Sequence, residues 1–264
     1  MTDSASEGRI TFERRASLAL IGIDRPNKLN GFTPAMYRAL ADAFSALERD
    51  AEAGVGVLFA HGGNFTAGLQ LDLFAPMMRR GEPMIPVDAI DPLGLREPMR
   101  TKPVVCAVQG ICFTLGIELM LAQDVVVAAG DCRFAQIEVK RGVIPTGGAT
   151  MRFVERAGWG NAQRYLLTGD EFDAREAYRL GFVQEVVPAG RQLERATEIA
   201  ETIAAQAPLA VRASLASSRR YAERGPLGMK DEMEAMQRRL AQTEDAAEGV
   251  RAFLERRSGR FTGK

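Results

Sequence analysis

Two glutamates, Glu118 and Glu138, stand twenty positions apart in the most regular part of the chain, each beside a backbone that glycine shapes. Glu118 lies in Gln109-Gly110-Ile111-Cys112-Phe113-Thr114-Leu115-Gly116-Ile117-Glu118-Leu119, where an apolar strand breaks into a glycine-bearing turn and restarts as a helix. Glu138 lies in Phe134-Ala135-Gln136-Ile137-Glu138-Val139, ahead of a second turn at Ile144-Pro145-Thr146-Gly147-Gly148. Two carboxyls facing one cleft divide acid and base work when burial or mutual repulsion keeps one of them protonated near neutral pH. A second pair of features surrounds them. Leu69 follows Ala67-Gly68 where a loop passes into the segment Leu69 to Arg79, and Leu115 precedes Gly116 at the start of a helix. N–H groups in the first turn of a helix lack internal partners and point outward with the positive end of the dipole, so two such ends can polarise one carbonyl. Taken singly, each feature has a plainer account. Glu118 reads as a helix carboxylate near an N-terminus, Glu138 as a strand-end residue paired with Lys140 or Arg141, and the glycines as ordinary strand-to-helix turns. Only the combination points to chemistry.

Other signatures fail on inspection. His61-Gly62-Gly63 is similar to the oxyanion loop of some lipases, but no Gly-x-Ser-x-Gly elbow follows and His61 is the only histidine. Gly259 to Lys264 is one residue too short for a phosphate loop and sits at the end of the chain, and no GxGxxG run opens a helix after a strand. Cys106, Cys112 and Cys132 are odd in number, lie in or beside apolar runs and lack CxxC spacing, which predicts buried free thiols in a reducing compartment and no metal site. The 34 basic residues balance 34 acidic ones, so no global field draws nucleic acid or an anionic membrane. Met1 to Gly8 lacks the basic start and apolar core of a signal peptide, and no apolar run reaches the length of a membrane span, so the expected location is the cytoplasm.

The elements that must hold the glutamates follow from periodicity. At 264 residues, 46% of them hydrophobic, the chain can bury a full core. The front alternates strand and helix. Ile10 to Arg15 and Ala16 to Ile23 read as two strands ending in the loop Asp24 to Gly31. Thr33 suits a helix N-cap before Pro34, with Met36, Leu40, Ala43, Phe44 and Leu47 on one face, and Val55 to Phe59 reads as a strand covered on both faces. Val104 to Val108 and Asp124 to Ala129 bracket the helix of Glu118. Between these units Met77 to Pro103, rich in proline, reads as a long loop able to cover a cleft. The last third is helical, at Ala162 to Leu167, Ala174 to Leu180, Leu193 to Ala205, Leu209 to Tyr221, Met229 to Ala241 and Ala246 to Arg257. Met229, Met233, Met236 and Leu240 form an apolar stripe that either packs in the core or meets another subunit.

Taken in order, these segments resemble the crotonase superfamily, also called the enoyl-CoA hydratase/isomerase family, over nearly the whole chain. Asp24-Arg25-Pro26-Asn27-Lys28-Leu29-Asn30 looks like its early CoA-binding loop, and Phe65-Thr66-Ala67-Gly68-Leu69-Gln70-Leu71 resembles its first oxyanion segment. Lys102 to Gly110 with the Thr114-Leu115-Gly116 turn resembles its second, and Phe134 to Thr150 looks like the segment of the second glutamate. The resemblance implies an α/β fold, a crotonase-like core of repeated β-β-α turns over residues 1–190 holding the CoA and active site, followed by a helical oligomerisation region over 191–264. It implies Glu118 and Glu138 as acid/base residues and the N–H groups of Leu69 and Leu115 as the oxyanion hole. Arg25, Lys28, Ala67, Gly68, Gln70 and Gly116 become substrate or CoA contacts, with Arg256-Arg257 as further candidates for the CoA phosphates. The implied reaction is hydration of a 2-enoyl-CoA in fatty acid or related acyl-CoA metabolism by a homo-trimer or hexamer, without metal or redox cofactor, coenzyme A being part of the substrate. Enoyl-CoA delta-isomerase, another acyl-CoA activity of the family, and a non-catalytic acyl-CoA binding protein are the alternatives. The chain departs from the family pattern where Gln70 replaces the usual aspartate, Leu69 a small residue, and Thr114 and Leu115 common glycines; these bulkier groups narrow the acyl pocket.

Overall fold

The computed structural model describes residues 7–264, so most of the polar opening segment, residues 1–6, lies outside the described residues. In chain order the strands are β1 (Arg9–Arg15), β2 (Leu18–Asp24), β3 (Val55–Ala60), β4 (Val104–Val108), β5 (Ile111–Phe113), β6 (Val125–Ala129), β7 (Arg133–Ala135), β8 (Phe172–Asp173) and β9 (Glu185–Val187). The helices are α1 (Pro34–Arg49), α2 (Leu71–Arg80), α3 (Leu115–Leu121), α4 (Ala149–Ala157), α5 (Trp159–Leu166), α6 (Ala174–Arg179), α7 (Gln192–Ala204), α8 (Pro208–Leu240) and α9 (Glu244–Glu255).

A six-stranded sheet in the order β1-β2-β3-β4-β6-β9 forms the centre. β1 and β2 pair antiparallel and the remaining neighbours are parallel, so β2, β3, β4 and β6 are nearly continuous apolar runs buried on both sides. Alternation along β2 shows the two faces. Leu18 and Leu20 pack with Val55, Val57, Val105, Ala107 and Val127 under Ala196 and Ala200 of α7. Ala19, Ile21 and Ile23 join the larger core beneath α1 and α3. Thr33 caps α1, its hydroxyl accepting from the Met36 N–H at 3.2 Å, and the apolar face of Met36, Leu40, Ala43, Phe44 and Leu47 is buried. A second, small sheet of β5, β7 and β8 was not legible in the sequence, because its strands are only two or three residues long.

Several boundaries differ from expectation. The Met77 to Pro103 loop is shorter, since α2 continues through Arg80, and it is no detached flap: Ile85, Ala89, Ile90 and Leu93 are buried, and the Ile90 N–H donates to Ser45 Oγ at 2.9 Å. Lys102 ends it with a buried amine that donates to Leu47 O at 2.7 Å and to Asp50 O, satisfying the C-terminal carbonyls of α1; burial pushes its pKa down. α4 was missed as an element. The two helices expected between Leu209 and Ala241 are the two arms of α8, broken at Gly225 (φ 65°, ψ 175°) before Pro226. Of the methionine stripe, Met229 is buried, Met236 and Leu240 are half-buried and Met233 is exposed. The three cysteines are free and buried, and burial raises all three thiols, Cys132 to about 12. Among the described residues no helix is long and apolar enough to cross a membrane.

Candidate active site

The early loop and the segment after β3 are stitched together by the polar groups of three residues. Asn30, buried with φ 53°, accepts from the Arg25 N–H at 2.6 Å and donates to His61 O and Asn64 O at 2.9 and 2.7 Å. Thr66 Oγ1 donates to Asn30 O at 2.7 Å and accepts from the Gly68 N–H at 3.0 Å. Gln70 N–H donates to Phe32 O at 2.9 Å, while its side-chain oxygen accepts from Arg25 Nη1 at 2.9 Å. The Arg25 guanidinium is buried, bonded also to Gly31 O at 2.8 Å, and holds this loop against α2. Lys28 remains exposed.

These bonds leave a specific remainder. In the segment 65–70, Phe65 and Thr66 donate to Ile111 O, Ala67 donates to Leu29 O, and Gly68 and Gln70 donate as just described. Among the described residues the Leu69 N–H donates to no protein group. In the neighbouring segment Phe113 N–H reaches Thr66 O at 3.0 Å, Thr114 N–H reaches Ala135 O at 3.0 Å, and Ile117 and Glu118 N–H groups return to Thr114 O. The Leu115 N–H, at the first position of α3, has no partner among the described residues. The two segments touch: Gly68 has φ 103°, and a Cβ there would collide with Thr114 Oγ1. Thr114 itself holds φ 50°, ψ −114°, a backbone that disfavours side chains. Gly116 is a packing glycine, since a Cβ would lie 2.9 Å from Thr66 Cγ2 and 3.2 Å from Cys112 Sγ.

Leu69 and Leu115 line a cavity of about 730 Å³ together with Ala67, Thr114, Glu118 and Glu138. α2 and the following loop add Leu71, Ala75, Met78 and Met84, so much of the wall is apolar. Gly68, Gly116, Gln70, Arg25 and Lys28 lie outside this lining. A larger cleft of about 920 Å³ between residues 94–101 and the arms of α8 contains neither glutamate, so the chemistry belongs to the smaller one.

α3 is buried on every side, which forces Glu118 into the interior. Its Oε1 accepts from the Gly147 and Ala149 N–H groups at 2.7 and 3.2 Å. Burial nevertheless pushes its pKa up to about 7, helped by the charge of Glu138 and opposed by those N–H groups and Arg152. Glu138 opens a 3-10 turn, Glu138–Arg141, shortly after β7 ends. Gln136 Nε2 donates to its Oε1 at 3.0 Å, Oε2 is buried without a protein partner, and burial raises this pKa also. Sequence reasoning missed Gln136 and Arg152, whose guanidinium donates to Gly147 O at 3.1 Å and Leu93 O at 2.6 Å and so fixes the turn that holds Glu118. The glycine turn was recognised, but its bond to Glu118 spans 29 residues and has no sequence signature. Arg257 is ion-paired to Glu248 and Glu255.

Buried Glu118 and half-buried Glu138 stand beside two main-chain donors on strands that repeatedly feed helices, and solved structures of the crotonase fold share this architecture. A probable enoyl-CoA hydratase/isomerase from Mycobacterium abscessus superposes with TM-score 0.93 at 42% identity, covering 97% of this chain and 98% of that one. The 2,3-dehydroadipyl-CoA hydratase of Escherichia coli is 30% identical over 95% of this chain and 97% of its own length. The 1,2-epoxyphenylacetyl-CoA isomerase of the same organism is 31% identical over 92% and 94%. The family pattern described as Enoyl-CoA hydratase/isomerase matches residues 13–264, and the chain belongs to that family.

Proposed function

We propose that this chain hydrates 2-enoyl-CoA thioesters. The observation that carries the reading is the coincidence, on one cavity wall, of two raised-pKa carboxyls with the only N–H group of segment 65–70 left unengaged and the free N–H that opens α3. The thioester oxygen accepts from Leu69 and Leu115, which stabilise the negative charge that develops on it as water adds. Burial raises both carboxyls, Glu118 to about 7, so that Glu118 carries its proton about half the time near neutral pH. The ionised carboxyl takes a proton from water as the water oxygen bonds to C3, and the protonated one gives its proton to C2 as the enolate collapses. The pair ends with the proton count it began with, and the net change is addition of one water molecule. No electron is transferred, so the chemistry calls for no redox group.

The test offers crotonyl-CoA and a 3-enoyl-CoA to the purified protein. Rapid loss of the conjugated thioester absorbance with formation of the 3-hydroxyacyl product supports hydration. Turnover of the 3-enoyl substrate alone, to the conjugated thioester, would replace the reading with delta-isomerase. The same proposal includes a homo-oligomer, trimer or hexamer, in which exposed Leu227, Phe253 and Leu254 are covered by another copy; light scattering in solution decides it.

A further inference from the structure

The Thr114 hydroxyl stands between the two donor segments. A Cβ on Gly68 would fall on its oxygen, so Oγ1 lies against Gly68, in the space that the missing side chain leaves. Covalent geometry then bounds it: Oγ1 is within about 6 Å of the Leu69 nitrogen, which follows Gly68, and within about 5 Å of the Leu115 nitrogen, which follows Thr114 itself. Two donors that share one acceptor, each at about 2.9 Å, stand no further than about 6 Å apart, so all three groups can meet at one oxygen. The main chain fixes this placement. The Thr114 N–H donates to Ala135 O at 3.0 Å, and its carbonyl accepts from Ile117 and Glu118 at 3.0 and 3.2 Å. The residue is held at φ 50°, ψ −114°, where a β-branched side chain is strained. The hydroxyl engages no protein group among the described residues, yet its oxygen is not sealed in the interior, and the cavity that Thr114 lines is the one shared with Leu69, Leu115, Glu118 and Glu138.

A free hydroxyl at that point acts differently from the two N–H groups. A thioester carbonyl oxygen offers two lone pairs, one for each N–H; the enolate oxygen formed as water adds at C3 offers a third and carries charge. We propose that the Thr114 hydroxyl is a third donor to the thioester oxygen, engaged as the enolate forms. This rests on the hydratase reading above, in that the substrate oxygen sits at the Leu69 and Leu115 N–H groups, and names a further catalytic residue for it. The hydroxyl lends a hydrogen bond and keeps its proton, so the proton balance of the two carboxyls is unchanged. Because the bond strengthens as the charge develops, it lowers the barrier more than it tightens substrate binding.

The experiment compares wild type with Thr114→Val, which deletes the hydroxyl at nearly constant shape, and Thr114→Ser, which keeps it. With crotonyl-CoA, Thr114→Val lowers kcat about tenfold with KM changed far less, and Thr114→Ser stays close to wild type. A second measurement needs no turnover. Acetoacetyl-CoA ionises to an enolate with its own ultraviolet absorbance, and its pH titration on the protein gives the pKa of the bound ligand. Thr114→Val raises that pKa by about one pH unit, the same tenfold, and Thr114→Ser leaves it in place. Should Thr114→Val fail to fold, Thr114→Gly, which suits the positive φ and lacks the hydroxyl, takes its place with the same expectation. An enolate pKa that is equal in wild type and Thr114→Val overturns the proposal. So does an equal loss in Thr114→Val and Thr114→Ser, because packing and not the hydroxyl would then matter. An enolate that depends on the Thr114 hydroxyl, without hydration of crotonyl-CoA, keeps the third donor and sinks the hydratase. Hydration with no dependence on Thr114 does the reverse.

Discussion

Glu118→Gln should stabilise the protein at alkaline pH while removing its activity. Burial raises the Glu118 pKa from 4.5 to about 7, so the folded state binds this proton more tightly than the unfolded chain does. The sign follows directly. Below pH 4.5 both states carry the proton and burial costs nothing extra; as pH rises toward 7 the unfolded chain releases it first, and stability falls. Above about pH 7 the full penalty is present, about 3 kcal/mol for a shift of this size. Glutamine is neutral at every pH and its carbonyl oxygen can still accept from the Gly147 and Ala149 N–H groups. Urea unfolding at fixed protein concentration should therefore show the variant gaining on wild type by about 2 to 3 kcal/mol between pH 5 and pH 8.5, somewhat less than the full penalty because at pH 5 the unfolded carboxyl has already released part of its proton. A difference between variant and wild type that is the same at both pH values would refute the burial argument.

Gly68→Ala should fail at the oxyanion segment. Its φ of 103° strains any L side chain, and the added methyl group collides with Thr114 Oγ1, so a loss of about 1 to 3 kcal/mol in stability and at least about tenfold in kcat is expected, with partial recovery in Gly68→Ala/Thr114→Gly. Recovery in neither quantity would separate the two segments. Gln136→Met removes the only side-chain donor to Glu138 Oε1 among the described residues, a bond that holds this pKa down against burial. The apparent pKa of the carboxyl pair in the pH dependence of kcat/KM should move upward, and an unshifted profile would show that Gln136 merely fills space.

The parts of this fold legible in the sequence are those decided locally. Thr33-Pro34 announces α1 because a hydroxyl acceptor and a fixed φ act within one turn, and the apolar β3, β4 and β6 announce a sheet covered on both faces. The glutamates were legible through their spacing and adjoining glycines. The missed features depend on contacts distant in sequence. β5, β7 and β8 are too short to carry a period, and Arg25 is claimed by Gln70, 45 positions away. The hold of Gly147 and Ala149 on Glu118 and the reach of Arg152 to Leu93 likewise exist only once α3, α4 and the loop before Lys102 have packed together.

The most direct test of the account follows crotonyl-CoA hydration by wild type, Glu118→Gln and Glu138→Gln at matched folding and substrate saturation. If two carboxyls share the proton transfers, each substitution lowers kcat by about a hundredfold or more, and neither variant loses affinity for the thioester to a comparable degree. Near wild-type hydration by either variant would contradict the two-carboxyl mechanism.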